Sequence, residues 1–375
     1  MTTSPRPLDT LVVGAGPAGL GTALALAAVD GLYFGVVERG TIGQTFLDWP
    51  SAQRFLTPSF TGNGFGSTDL NAIHPNTSPA FSLGLDYPDG LGYAKYLRAV
   101  AAHFRLPILE RTAVTGVDVD DRDGTFRVAT SIGTVRARSL VWAGGEFHHR
   151  AHPPITGAEL LDHSAAPEAW ALRAGDVVVV GGYESGIDLA CHHVRRGATV
   201  TVVDAAMPWD GQTGGADPSF QLAPRTRQRL KEALATGRLR LVGTDATRVI
   251  REDDHYLVDL ADDTKISADA RPISAVGYGP GLGPVSRLFD CREDGWPLLD
   301  QDDQSTTTPG LFLSGPAIRH DRLKFCFVYK FRQRFAHIAG VIGRRLDKDV
   351  TALEAWRAAG MLTDDLSCCG VDCAC

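Results

Sequence analysis

One local pattern occurs twice in this chain of 375 residues, and it restricts the folds open to the chain more than any other feature. Leu8 to Val13 is a short apolar run that stops at Gly14. Pro17 to Val29 is rich in Ala and Leu. Leu32 to Val37 is apolar again and leads to Glu38. A short apolar run closed by glycine reads as a buried strand, and the Ala/Leu stretch as a helix. The same order returns at Asp176 to Val180, the Gly181–Gly182 turn, Glu184 to Arg195, Ala198 to Val203 and Asp204. The acid follows the first glycine by 24 positions in one copy and by 23 in the other. Strand, glycine turn, helix, strand is a right-handed βαβ unit, so the chain is expected to be α/β with two Rossmann-like domains.

Each residue of the turn has a physical task. In Gly14-Ala-Gly16-Pro17-Ala18-Gly19 the first glycine takes the tight turn. The second lets backbone approach a pyrophosphate, and the third lets helix pack on strand. The helix N-terminus then faces the phosphates, where its dipole favours negative charge. Glu38 is placed to accept hydrogen bonds from an adenosine ribose. In the second copy, Gly181-Gly182-Tyr183-Glu184-Ser185-Gly186, Tyr183 stands where the middle glycine is usual. Asp204 would bind a ribose 2′-hydroxyl and repel a 2′-phosphate. That favours NADH, with Arg195 and Arg196 leaving NADPH open.

Around these units, Gln44 to Asp86 is rich in Gly, Pro, Ser, Asn and Thr and reads as loops over a ligand. Tyr93 to Phe104 and Arg225 to Ala235 read as helices. Pro107 to Val119, Thr125 to Thr130, Thr134 to Val141, Arg238 to Val249, Tyr256 to Leu260, Lys265 to Ser267 and Leu311 to Ser314 read as strands. A long helix is expected over Phe327 to Leu346 and a short one over Val350 to Ala358. Lys and Arg total 37 against 44 acids, for a net charge of −7. A nucleic-acid partner would call for a basic excess. No apolar run approaches the ~20 residues of a membrane span, and no leader pattern opens the chain. The expectation is a cytoplasmic protein with a small-molecule substrate, a homodimer being left open.

Two further strands end in small residues: Leu140-Val-Trp-Ala143-Gly144-Gly145, and the run to Gly315-Pro316. In this order the segments resemble those of two-dinucleotide FAD/NAD(P)H flavoproteins, closest to the flavin-containing monooxygenase-like and thioredoxin reductase-like proteins. The resemblance covers Leu8 to about Leu346. It implies an NAD(P)H domain, 166–271, inserted into an FAD domain of 1–165 and 272–360, with a cysteine-rich tail over 361–375. It implies that FAD is held by Gly14, Gly16, Pro17, Ala18, Gly19, Glu38, Arg39, Gln44, Trp49, Val114, Ala143, Gly144, Gly315 and Pro316. NAD(P)H is then held by Gly181, Gly182, Tyr183, Glu184, Ser185, Gly186, Asp204 and Gly277. Gly40 to Pro50 lacks the paired cysteines of glutathione reductase-type enzymes, and Cys191 lacks the partner that thioredoxin reductases carry. Gly43 to Pro50, and Pro154 to Gly157 with His163-Ser164, are similar to monooxygenase segments. The spacing from Gly157 to His163 is shorter than in monooxygenases, and Pro316 replaces an acid common in reductases.

Four of the seven cysteines, Cys368, Cys369, Cys373 and Cys375, fall in the last eight residues. Thiolates are nucleophiles and soft-metal ligands, so these are the redox candidates and a candidate soft-metal site. Leu366 to Gly370 is similar to the end of mercuric reductases. The first expectation is therefore an FAD-dependent monooxygenase acting on nitrogen or sulfur of a small molecule. The second is an NAD(P)H-dependent flavin reductase or oxidase of thiols, disulfides or a thiol-bound metal that uses the cysteine cluster. The third is a cofactor-bound sensor or metal-buffering protein without catalysis. Other residues read plainly: His148, His149 and His152 lie at a turn, and His192-His193 on a helix surface. Cys326 reads as a buried structural cysteine. Phe325 to Phe335 packs its aromatics inward. Asp120, Asp121, Asp123, Asp302 and Asp303 read as turn residues on a solvated face.

Overall fold

In the computed structural model, which describes residues 6–62, 66–173, 175–211 and 217–366, the first apolar run becomes strand β1 (Leu8–Val13), with every residue after Leu8 buried. Such burial on both faces is what a continuous apolar run supplies. Gly14, at φ +106°, turns the chain into α1 (Pro17–Ala27), which opens on a proline pre-set for a first helical turn. Strand β2 (Phe34–Val37) follows. The loops after it carry two one-turn helices, α2 (Gln44–Leu47) and α3 (Pro79–Leu83). Helix α4 (Gly90–His103) is capped by Asp89, whose Oδ1 accepts the Gly92 N–H at 2.7 Å. Then come β3 (Ile108–Leu109), β4 (Val114–Val119), β5 (Phe126–Thr130) and β6 (Gly133–Trp142). Among the described residues they form one sheet in the order β3-β2-β1-β6-β5-β4. Strands β3, β2, β1 and β6 run parallel, and β4 to β6 form an antiparallel meander.

The chain divides into two compact units, and in the described residues the second comprises Trp49–Leu56 and His149–Gly279. Its elements are β7 (Asp162–His163), β8 (Asp176–Val180), α5 (Glu184–Arg195), β9 (Thr199–Val203), α6 (Pro224–Ala235) and β10 (Leu239–Val242), followed by β11 (Ala246–Glu252), β12 (His255–Leu260), β13 (Lys265–Ala268) and β14 (Ile273–Ser274). A parallel sheet runs β10-β9-β8-β14-β7, and β11-β12-β13 make an antiparallel one. The strand expected over Arg238 to Val249 is broken in two, between Val242 and Ala246. Alternate valines of β8 serve two cores: Val177 and Val179 pack with α5 and α6, and Val178 and Val180 with β11 to β13. His192 and His193 correct the sequence reading, for both are buried. Their Nε2 atoms meet the Trp170 carbonyl at 3.0 Å and the Ala169 carbonyl at 2.8 Å. The 3₁₀ turn Pro167–Trp170 covers this helix face, and burial lowers both pKa values.

The rest of the first unit begins at Pro280. Strand β15 (Leu311–Leu313) pairs parallel to β6, and β16 (Arg319–His320) and β17 (Leu323–Lys324) form a small hairpin. The expected long helix is instead α7 (Val328–Phe331), a 3₁₀ turn over Arg332–Arg334, and α8 (Phe335–Arg345), with α9 (Glu354–Ala358) after it. The turn lies where two arginines point inward. Arg332 Nη1 donates to the Asp69 and Ala72 carbonyls, and Arg334 Nε donates to Asp303 at 2.6 Å. Asp303 is therefore fully buried, not solvated, with His320 Nε2 2.6 Å from its other oxygen. Burial alone would raise its pKa, but Arg334 and His320 hold it below the ordinary value. Phe325, Phe331 and Phe335 are buried as expected, whereas Cys326 is only half-buried. No helix of the described residues is long and apolar enough to cross a membrane.

Candidate functional site

In the first unit, the glycine turn closes on the end of β6. A Cβ on Gly14 would collide with the Ala143 carbonyl, and one on Gly19 with the Gly14 carbonyl. The Ala143 N–H donates to the Val13 carbonyl at 2.9 Å. Gly315, at φ +115°, brings the third segment against Ala18, where an added Cβ would stand 3.0 Å from the Ala18 Cβ. Gly16 has no heavy atom within 4 Å of its missing Cβ, so the space before the N-terminus of α1 is open. Glu38 marks the rim: Oε2 accepts the Ala15 N–H and Oε1 the Gly40 N–H, both at 2.7 Å. Gly14, Gly16, Pro17, Ala18, Gly19, Glu38, Ala143, Gly144, Gly315 and Pro316 thus gather at one end of the sheet. Open space at Gly16 before the start of α1, with an acid bonded to the same turn, is chemically fit for the pyrophosphate and ribose of FAD.

Other residues expected there lie elsewhere or are otherwise engaged. Gln44 accepts from Thr41 and donates to Asp48 at 2.9 Å. Arg39 is exposed, and Val114 stands on edge strand β4 opposite Thr130. Trp49 belongs to the second unit, where its ring packs 5.3 Å from that of Phe55. Cys368, Cys369, Cys373 and Cys375 lie outside the described residues.

The second unit repeats the backbone solution. A Cβ on Gly181, at φ +101°, would meet the Ala275 carbonyl, and one on Gly186 the Gly181 carbonyl. Asp204 Oδ2 accepts the Gly182 N–H at 2.7 Å. The side chains differ. Tyr183 turns its hydroxyl to the carbonyl oxygens of Ser219 and Gln221, both at 2.9 Å. The Glu184 carboxylate accepts from the Ala223 N–H and from Thr226 at 2.6 Å, and burial raises its pKa. Ser185 is half-buried on the first turn of α5. Gly277, at φ +88°, has its carbonyl bonded to the Ala151 N–H at 3.0 Å. Tyr183 is thereby anchored to the 217–221 segment.

Sequence reasoning passed over Glu146 and Arg319 in the first unit. Glu146 follows the Gly144–Gly145 turn after β6, and burial pushes its pKa up to about 7 against the attraction of Arg319. Arg319 Nη1 donates to the Pro316 carbonyl at 2.5 Å, and its guanidinium lies 3.9 Å from the centre of the Trp296 ring. Arg319 thus braces the third segment against Trp296, and its charge acts on Glu146 beyond the second. The only advance signal was an acid two residues beyond Gly144. Among the described residues no cluster of metal-ligating side chains could hold an ion.

Comparison with known proteins agrees with this geometry. The pyridine nucleotide-disulphide oxidoreductase family matches residues 11–315. Bacilliredoxin reductase Bdr of Bacillus subtilis is 23% identical over 346 residues, 89% of this chain and 97% of its own length. The structure of bacillithiol disulfide reductase Bdr (YpdA) from Staphylococcus aureus aligns at TM-score 0.72 with 20% identity, over 91% of this chain and 99% of that one. A flavin-containing monooxygenase from Stenotrophomonas maltophilia aligns at TM-score 0.66 with 18% identity, over 91% and 99%. These structures share the fold, two Rossmann-like units of a two-dinucleotide flavoprotein. FAD and NAD(P)H are the cofactors expected of such families; neither the family nor these relatives supports a soft metal at the tail. The chain belongs to the pyridine nucleotide-disulphide oxidoreductase family and is an FAD-dependent pyridine nucleotide oxidoreductase.

Proposed function

We propose that this enzyme is an NAD(P)H-dependent FAD reductase of small-molecule disulfides, with its C-terminal cysteines as the exchanging thiols. The observation that carries this reading is the match along 97% of bacilliredoxin reductase Bdr within a family described by disulphide chemistry. The reaction is NAD(P)H + H⁺ + RSSR → NAD(P)⁺ + 2 RSH. FAD, when bound, supplies a two-electron acceptor between nicotinamide and disulfide. Gly14, Gly16, Gly19 and the start of α1 hold its pyrophosphate, and Glu38 its ribose. Gly181, Gly186 and the start of α5 hold the nicotinamide dinucleotide, and Asp204 selects the 2′-hydroxyl of NADH. Glu146 holds the proton that the reaction consumes, since a carboxyl with a pKa near 7 is protonated and ionised in comparable amounts at neutral pH. The last described residues are fastened: Thr363 N–H donates to the Gln333 carbonyl at 3.0 Å, and Asp364 pairs with Arg357 at 2.8 Å. A reducing, cytoplasmic compartment suits this chemistry.

Oxygenation of a soft nucleophile, the first expectation from sequence, ranks second; the resemblance of Gly43 to Pro50 to monooxygenase segments favours it. Anaerobic NADH titration followed by a thiol assay separates the two. The proposal expects NADH to bleach the flavin and two thiols to appear per NADH when a disulfide is added. It also expects the double variant Cys368→Ser/Cys369→Ser to bleach without releasing thiols. A long-lived hydroperoxide absorbance in air, with an oxygenated product and no thiol release, would overturn it.

A further inference from the structure

Resting on the reading of the second unit as the pyridine nucleotide site, we propose that Trp209 is its adenine-binding residue, stacking its indole on the base of the bound nucleotide. Two equivalent backbone positions lead to this. The Ala15 N–H donates to the acid that ends β2, and the Gly182 N–H donates to the acid after β9. These two residues therefore occupy the same place in their turns. In the first unit that place carries a methyl group. In the second it carries none, and a Cβ there would collide with Cζ3 and Cε3 of Trp209. The same Cβ would stand 3.1 Å from the Cβ of Asp204. Indole, glycine and acid thus meet at one point.

The chemistry of an adenosine fits that point. The carboxylate at the end of the second strand is where a ribose 2′-hydroxyl binds, and the base is attached to the neighbouring ribose carbon. An aromatic ring against the same acid is within reach of the base, and stacking on a base face needs no particular sequence of donors and acceptors. The ring is also held in place. Trp209 lies on the 3₁₀ turn Pro208–Asp210, between Met207 at φ +45° and Gly211 at φ +67°. Met207 in turn lays its sulfur over Gly243, where a Cβ would collide with it. The half-buried indole rests against the core shared by β8, α5 and α6.

The test is calorimetric titration of the purified FAD-loaded enzyme with NAD⁺ and with ADP-ribose, which keeps the adenosine and lacks nicotinamide. Trp209→Ala should weaken both by roughly five- to thirtyfold, and Trp209→Phe should stay within about threefold of the parent, as expected for a stacking contact. Gly182→Ala, which displaces the ring without removing it, should weaken both ligands in the same direction. Thermal melts and flavin absorbance certify that each variant is folded. Equal or tighter binding by Trp209→Ala overturns the inference, because the indole would then be a bystander or a plug. If the parent enzyme binds neither NAD⁺ nor NADP⁺, the nucleotide reading of the second unit itself falls, a result distinct from unchanged binding in the variant.

Discussion

The two glycine turns of this chain are built alike beneath and differently above. Beneath, Gly14 rests on the Ala143 carbonyl as Gly181 rests on that of Ala275, and Gly19 and Gly186 press equally on their own turns. Above, Gly16 faces open space, whereas the equivalent Tyr183 reaches over to Ser219 and Gln221. Ala15 carries a methyl group where Gly182 leaves room for Trp209. Framework positions answer to the contact of helix on strand, which is the same in both units. Ligand-side positions answer to whatever lies across the turn, and the two units set different things there.

The comparison can be broken most decisively at the framework. Gly14→Val puts a β-branched residue at φ +106° against a backbone carbonyl, a strain on the order of 3 kcal/mol. At ~1.4 kcal/mol per decade, FAD affinity should fall about a hundredfold, read as loss of the flavin spectrum from the purified protein. Retention of flavin at parental occupancy would refute the assignment of this turn.

A smaller effect separates the acids near each site. Glu184 is tied to two donors, while Glu146 has its pKa raised to about 7. A carboxyl whose pKa is higher folded than unfolded contributes stability below its unfolded value near 4.5, and that contribution is lost as pH rises through about 7. Glu146→Gln should therefore flatten the fall in unfolding free energy between those pH values, by on the order of 2 kcal/mol after allowance for partial exposure. It should also slow thiol release at neutral pH. A profile parallel to that of the parent would remove Glu146 from both roles.

The smallest effect is at the middle position of the second turn. Tyr183→Phe removes the hydroxyl that joins α5 to the 217–221 segment, at a cost of about 1 kcal/mol. The Tm should drop by roughly 2–4 °C, with NAD⁺ affinity within about threefold of the parent. A much larger loss of affinity would mean that the side chain contacts the nucleotide directly.

Both βαβ units and their terminal acids were legible in the sequence, because a buried strand, a turn with positive φ and an Ala-rich helix are each specified by neighbouring residues. What crosses long stretches of chain was not. Asp303 sits in a run of turn-forming residues and looks solvated, yet Arg334, 31 residues on, holds it in the interior. His192 and His193 share a helix with charged neighbours, and only the fold of Pro167–Trp170 decides that they are covered. The break at Arg332–Arg334 had no proline or glycine to announce it; its cause lies in the Asp69–Ala72 loop and at Asp303. Trp209 carried no signal, since nothing local says that an indole 27 positions away fills the space over Gly182.

Because each turn leans on a strand that comes much later in the chain, the order of synthesis and the order of completion differ. The turn at Gly181 has its support once Ala275 has been made, whereas the turn at Gly14, begun first, needs both Ala143 and Gly315, the latter 40 residues beyond Ala275. At ~5–20 residues per second on a ribosome, the later-starting turn has its supports roughly two to eight seconds before the earlier one. On the proposed assignment, a nascent chain completes the supports of its nicotinamide turn before those of its flavin turn.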